Sequence, residues 1–342
     1  MDETPKVSIL VPVYNRADII RVTLDSAVNQ TYQNIEVIVV DNKSTDDTYE
    51  VIKAYAAEHP CVRVYQNEAN LGPARNWQRC LERATAPYVK ILWSDDLIAP
   101  TFVEKCLPFL VDHDDVGFVF TGTELFNDRT GQRRGQYFIG ETGLHDSRRF
   151  IKECLLDGPF PDSPGNALFR KRDFKKNLLI DIPNKIGSDF KMHTMGTDSL
   201  IFLLTAHDYP RFAFVNEPLS FYRSWADSIT NRANKYDRHI LYSLTKAFFV
   251  ENYLEDDWLR RAFTLKLSLI CLLCRHRNTL GVTSLQDFYS GPTSVRAGDV
   301  MFAWPVLRRL FAKFSGRYGL EPLGRRFLRH IHNPFHRAQL QT

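Results

Sequence analysis

The 342-residue chain has no apolar run near the length of a membrane span. Its longest, such as LSLICLLC at 267–274, falls far short of the roughly 20 residues a spanning helix needs. The amino terminus, MDETPKVSILV, is acidic and runs straight into a strand pattern, so no secretory signal is expected there. Cysteine is sparse: six residues, at 61, 80, 106, 154, 271 and 274, of which only the last two lie close together. Cys271-x-x-Cys274 has no second pair to complete a zinc site and sits in an apolar, helix-like stretch. It reads as a pair of buried core thiols, which fits a reducing cytoplasm. No repeat, linker or low-complexity segment is evident. What remains is ordinary globular composition, 44% hydrophobic and 25% charged, with length enough for two core-forming units.

Charge is short of neutral by only +4, but it is unevenly placed. Between 296 and 337 nine Lys and Arg face two acids, Asp299 and Glu321. Arg308, Arg309 and Lys313 alternate with Leu310, Phe311 and Phe314, the pattern of a basic amphipathic helix. Such a helix either packs on a domain or lies on an anionic membrane surface. His330, His332 and His336, in the same basic tail, read as solvated residues rather than a metal cluster. Nucleic acid is not an expected partner.

The first 120 residues alternate between two periods. Val7–Val11 and Glu36–Val40 are continuous apolar runs, as expected of strands covered on both faces. Ile20, Leu24, Ala27 and Val28 recur at helical spacing. Ser44 to Asp47 resembles a capping box, with Val51, Ile52 and Tyr55 forming the next helical face. Val62–Tyr65 is a short strand, Pro73 suits the first turn of a helix carrying Trp77 and Leu81, and Tyr88–Trp93 is a fourth strand. This repetition predicts an α/β fold, a mostly parallel sheet with helices on both faces. From 121 to 165 glycines multiply and the pattern loosens into a hairpin or irregular cover. Thr197–His207 then reads as a helix and Phe212–Val215 as a strand. From about 236 the chain looks helical, an addition to the α/β core.

In an open α/β sheet ligands bind beyond the carboxyl ends of the strands. The segments that follow the first four strands are Pro12-Val13-Tyr14-Asn15-Arg16, Asp41-Asn42-Lys43-Ser44-Thr45-Asp46, NEANLGPARN at 67–76, and Ser94-Asp95-Asp96. The last poses a physical question. Two adjacent carboxylates end an apparently buried strand, where like charges repel and unpaired burial is costly. Either water or a cation must solvate them.

VSILVPVYNR, EVIVVDNKSTD, NLGPARN and SDD, in this order over residues 6–110, resemble a family 2 glycosyltransferase of the GT-A fold. A looser match continues through GTDSLIF at 196–202 and RFAFVNEPLSFYR at 211–223. The resemblance implies a Rossmann-like domain over 1–235, with a nucleotide-sugar-binding half (1–120) and an acceptor-binding half (121–235), followed by a helical, basic region (236–342). It implies a nucleotide-diphosphate sugar donor, UDP-linked, and Mg²⁺ or Mn²⁺. The acceptor would be a hydroxyl of a glycan or lipid-linked oligosaccharide, the setting bacterial surface polysaccharide assembly, and the location the cytoplasm or the inner face of the plasma membrane. Asp41 would hydrogen-bond the imide of the base. Pro12 and Tyr14 would flank base and ribose, with Asn15 and Arg16 beside them. Asn70, Gly72 and Arg75, or Lys43, would lie near the anionic donor. Asp95 would face sugar hydroxyls and Asp96 the cation, a hard oxygen ligand suited to those ions. Asp198 matches the catalytic base of the inverting members, although taken alone it also reads as a helix N-cap.

The chain also departs from the family pattern. Ser94 cannot supply the first carboxylate of an Asp-x-Asp motif. Asn42 stands where a second Asp is common, Thr197 where an acid precedes the base, and Trp225 where a His approaches the metal. No Gln-x-x-Arg-Trp motif is present, which argues against a processive polymer synthase. A sugar nucleotidyltransferase would need a glycine-rich loop after strand one, and VPVYNR has no glycine. A non-catalytic protein that binds nucleotide sugars is the remaining alternative.

Overall fold

The computed structural model describes residues 4–224, 234–274 and 276–291. The apolar runs become strands and the 3.6-period stretches become helices. In chain order they are β1 (Val7–Val13), α1 (Ile20–Val28), β2 (Ile35–Asp41), α2 (Thr48–Glu58), β3 (Val62–Gln66), α3 (Pro73–Arg83) and β4 (Tyr88–Ile91). There follow β5 (Leu97–Ile98), α4 (Phe102–Val111), β6 (Val116–Phe126), β7 (Arg133–Gln136), β8 (Gly143–Asp146) and α5 (Ser147–Leu155). The chain continues with β9 (Ala167–Arg170), α6 (Lys171–Asn177), α7 (Phe190–His193), α8 (Thr197–Asp208), β10 (Arg211–Arg223), α9 (Lys235–Asn252) and α10 (Asp257–Cys274).

The strands form one sheet in the order β3-β2-β1-β4-β9-β6-β10-β5, with β7 on β6 and β8 on β10. β1 runs parallel to β2 and β4, and β2 to β3. β9 is antiparallel to both β4 and β6, so β6 and its parallel partner β10 run the same way as β1. The sheet is therefore mostly parallel. Its first half is buried on both faces. Leu10, Ile38 and Val40 join the core under α3, α5, α8, α9 and α10, while Ile9, Val11, Val37 and Val39 join the core under α1, α2 and α4. Adjacent residues of one strand thus feed opposite cores, the reason these strands read as unbroken apolar runs.

Three local expectations change. Ser44 does not open a capping box: the N-cap of α2 is Asp47, without a side-chain cap bond, because the Ser44 hydroxyl donates to Asp41 instead. The loose region does contain a hairpin, β6–β7, paired through Thr123 and Gln136. It also contains α5, which was not anticipated; Phe150, Ile151, Cys154 and Leu155 are its buried face, and Asp146 caps it by accepting from the Arg148 N–H at 2.7 Å. Finally, α9 and α10 bury Ile240, Leu244, Phe263 and Leu267 in the same core as α5 and α8, rather than in one of their own. Cys271 and Cys274 are buried there, and burial pushes their thiols up to about 12 and about 11, as inert core residues. The basic tail at 296–337, its histidines and Trp225 lie outside the described residues. Among those residues no helix is long and apolar enough to cross a membrane.

Candidate active site

The chain lays down β1, β2 and β3 toward one edge, then returns to pair β4 on the other side of β1. That reversal opens a crevice at the carboxyl ends of β1 and β4, where an open α/β sheet holds its ligands. Pro12–Arg16 and Ser94–Asp96 both stand there.

The loops after β1 and β2 are latched together. Asn15 and Lys43 both hold left-handed backbone, φ 51° and 64°, uncommon for residues with a side chain. The Asn15 N–H donates to Ser44 Oγ at 2.9 Å, the Thr45 N–H to Asn15 Oδ1 at 2.8 Å, and the Arg16 N–H to Thr48 Oγ1 at 2.7 Å. Asp41 is fully buried, and its carboxylate braces the β2–α2 loop by accepting from the Ser44 N–H (3.1 Å), the Ser44 hydroxyl and Gln66 Nε2 (2.9 Å). Tyr14 is 38% exposed, leaving its ring available beside the crevice rather than in the core. Beyond β3, a polar network shapes the turn into α3. Asn42 Oδ1 accepts from the Leu71 N–H (3.0 Å) and from Asn67 Nδ2 (2.9 Å), while Asn70 Oδ1 accepts from Asn42 Nδ2 (2.9 Å) and the Gly72 N–H (3.0 Å). Gly72 holds φ 80°, and a Cβ there would lie 2.7 Å from the Lys191 carbonyl oxygen of α7. Arg75 is exposed on the first turn of α3.

At the centre, the two carboxylates have different surroundings. Asp95 faces the Arg16 guanidinium at 3.5 Å. Asp96 is buried, and its Oδ1 accepts from the Arg223 N–H at 2.9 Å. The Arg223 side chain is turned elsewhere: Nε donates to the Asp95 carbonyl at 2.9 Å, the guanidinium pairs with Asp128, and its plane covers Phe126. Burial, then the neighbouring Asp95 charge, pushes the Asp96 carboxyl well above the usual range. A carboxylate in that condition is short of positive charge.

A third carboxylate stands at the start of α8. Asp198 lies in the first turn of α8 and is buried; Oδ1 accepts from the N–H groups of Gly196 (3.0 Å) and Ser199 (2.9 Å), and Oδ2 from the Tyr242 hydroxyl (2.9 Å). Burial and the nearby Asp162 charge lift it to about 7, against the downward pull of those three hydrogen bonds. Tyr222, on β10, has its phenol raised, by burial most and then by Tyr137, with smaller contributions from the Asp96 and Asp198 charges. The floor is aromatic and rigid. Trp93 packs on Trp77 with ring centroids 4.7 Å apart and donates from Nε1 to Ser163 at 3.0 Å. A Cβ on Gly165 would strike the Trp93 indole at 2.5 Å. Below it, the fully buried Lys90 donates to the Gly165 carbonyl, pinning the 163–166 turn to β4; burial lowers its ammonium to about 7.

A glycosyl transferase family 2 model matches residues 8–178, half of the chain. The chain is a member of glycosyl transferase family 2. EpsH of Bacillus subtilis, named as a glycosyltransferase, is 29% identical over 278 residues, 79% of this chain and 77% of EpsH. TuaG of the same organism, named for teichuronic acid biosynthesis, is 36% identical over 121 residues, 35% of this chain and 48% of TuaG. The fold matches residues 1–349 of S. aureus TarS, crystallised with UDP-GlcNAc, at a TM-score of 0.59 and 19% identity, over 90% of this chain and 80% of that one. Members of this family often use a divalent metal.

In this glycosyltransferase the structure pairs Arg16 with Asp95 beside Asp96, ties Asn15 to the β2–α2 loop through Thr45, and ties Asn70 to Gly72 at the start of α3. Asp198 is not an N-cap; that position is Gly196. Trp93 is partly buried and bridges core to rim, while Trp77 is core. Sequence reasoning missed Tyr137, Tyr222, Arg223, Tyr242 and Lys246. One signal was available: Lys246 stands four residues after Tyr242 on an otherwise apolar face of α9, an oddity that asks for a buried partner.

Proposed function

We infer that this glycosyltransferase inverts the anomeric centre in moving a sugar from a nucleotide-diphosphate donor, UDP-linked, to a hydroxyl of a glycan or lipid-linked oligosaccharide in bacterial surface polysaccharide assembly. The observation that carries this reading is a buried carboxylate, Asp198, held at the start of α8 by three hydrogen bonds, in a chain whose Asp96 follows β4, buried on the Arg223 N–H. The TuaG name supports the polysaccharide setting, and the UDP-GlcNAc held by TarS supports the base. On this reading residues 1–120 hold the donor and residues 121–235 the acceptor.

Asp198 is suited to accept a proton, since a carboxyl near 7 is half ionised at neutral pH yet basic enough to bind a proton in the transition state. Its Oδ2 takes the acceptor hydroxyl proton as that oxygen bonds to the anomeric carbon. The bond from that carbon to the diphosphate oxygen breaks on the opposite face, and the electron pair leaves with the nucleotide diphosphate. Asp96 fits Mg²⁺ or Mn²⁺ by its charge deficit and its hard oxygen donors, and among the described residues no cluster of three acidic, His or Cys ligands joins it. A cation held there would offset charge on the leaving diphosphate, with the donor's own oxygens completing its shell. Tyr14 would stack on the base and Pro12 lie beneath it, Asp95 and Arg16 would reach sugar hydroxyls and phosphate, and Arg75 would face the anionic donor. Asp41 would shape the base site through the loop it braces.

Thermal shift against UDP-, GDP- and dTDP-sugars, with and without Mn²⁺, tests the donor: stabilisation is expected for UDP-sugars and to grow with metal. Equal stabilisation by all three bases would overturn the UDP assignment. Asp198→Asn is expected to lower turnover by about 10²–10⁴-fold, the usual contribution of a general base. Full activity in that variant would sink the assignment of the base.

A further inference from the structure

The hydrogen bond on Asp198 Oδ2 comes from α9, beyond the segment that the family model matches. An ionised carboxylate only accepts, so the Tyr242 hydroxyl is the donor. α9 is seated on the start of α8 by more than this bond. A Cβ at Gly196 would lie 2.6 Å from Thr245 Oγ1 and 3.0 Å from the Leu241 carbonyl oxygen, and Gly196 holds φ 98°. Only glycine permits that approach. One turn further along α9, Lys246 Nζ donates to Asp162 at 3.1 Å and to the Cys154 carbonyl at 2.8 Å. Tyr242 is therefore held from both sides along its own helix.

We propose that Tyr242 is a positioning residue for sugar transfer: its hydroxyl sets the plane of the Asp198 carboxylate and fills one lone pair of Oδ2, leaving the other to receive the acceptor proton. This rests on the reading of Asp198 as the base. The two backbone bonds fix only Oδ1, and Oδ2 is oriented by Tyr242 alone among the hydrogen bonds described. The groups facing Asp198 are Tyr242 from α9, Asp162 from the loop before β9 with Lys246 behind it, Tyr137 from the turn after β7, and Tyr222 from β10. Tyr137 reaches this place with φ 61°, a strained conformation for a bulky side chain.

The test uses the full chain. Tyr242→Phe removes one oxygen. It is expected to lower kcat about ten- to a hundredfold, the worth of one hydrogen bond to a charged group, with the KM for donor unchanged. The acid limb of its pH–rate profile should move up by about one pH unit, because a donor to the ionised form is gone. Turnover is read as UDP release, using the UDP-sugar that wild type hydrolyses fastest with Mn²⁺. A ¹³C-carboxyl titration of Asp198, its signal assigned with Asp198→Asn, reads the same shift without any donor. Should Tyr242→Phe fail to fold, 3-fluorotyrosine at 242, a stronger donor, should move limb and titration the opposite way. An inactive Asp198→Asn beside a Tyr242→Phe with wild-type kcat and an unmoved limb would overturn the positioning role alone. A fully active Asp198→Asn would instead remove the base on which it rests.

Discussion

Asp198 carries a folding cost that the proposed role as base would account for. A carboxyl lifted to about 7 by burial and by Asp162 binds its proton more tightly in the folded than in the unfolded chain. Its ionisation therefore opposes folding progressively as pH rises from the unfolded value near 4 through 7, and that cost is complete above. Asp198→Asn should raise the melting temperature at pH 8, by calorimetry, by the equivalent of about 1 kcal/mol or more, while lowering turnover. A lower melting temperature would contradict the desolvation account. Glu36 is the converse. Burial alone would raise it, but bonds from the Ser8 hydroxyl (2.6 Å), the Thr85 N–H (2.6 Å) and Lys6 outweigh that and hold it at about 2. Its contribution is full above the unfolded value near 4.5 and disappears as pH falls through 2. Glu36→Gln should cost up to about 3 kcal/mol at pH 7 and little at pH 2, so urea midpoints of variant and wild type should converge in acid. Gly72→Ala adds a methyl against the Lys191 carbonyl in a left-handed turn and is expected to destabilise by about 1–3 kcal/mol.

At the scale of elements, α5 shows what the C-terminal helices do. Its last carbonyls would be orphaned in an apolar core. Lys246 from α9 donates to the Cys154 carbonyl, and Lys266 from α10 donates to the Leu155 carbonyl at 2.7 Å. Asp157 lies 2.7 Å from Lys266 and Asp162 lies 3.1 Å from Lys246, so both buried ammonium groups are charge-paired. The two lysines differ. Opposite charges outweigh burial and raise Lys246, whereas burial wins at Lys266 and lowers it to about 8. Lys246→Met keeps the stem but strips a donor from α5 and a partner from Asp162. We expect a loss of about 1–3 kcal/mol in chemical denaturation, limited because Asp162 is half exposed and can hydrate. The bare Asp162 charge should also move the acid limb of activity upward, as Tyr242→Phe does. Were the two substitutions to shift the limb in opposite directions, the electrostatic link from Lys246 through Asp162 to Asp198 would be wrong.

At the scale of the molecule, one sheet organises two cores, and the crevice lies at the strand ends between them. A chain stopped before α9 would leave the inner faces of α5 and α8 uncovered. It should lose its cooperative thermal transition rather than melt as a smaller unit, by calorimetry. Much of this was legible in the residues. The β1–β4 alternation, the four polar strand ends and the acid starting α8 are local patterns, and periodicity reports burial wherever neighbours in sequence share a face. Helix α5 was harder to see because it follows a glycine-rich stretch, and its four apolar residues make only one short face. The opening puzzle of Asp95 and Asp96 could be posed from sequence but not resolved there, since Arg16 lies 79 positions away and Arg223 127.

Sequence alone determined the α/β class, the polar character of the strand ends and the presence of a lone acid at the start of α8, because each is written in spacing of a few residues. Tertiary structure decided which acid is paired and which is not, that Tyr242 and Asp162 meet Asp198, and that α9 and α10 belong to the main core. These depend on contacts between distant segments, and no local period encodes which helix will lie across which.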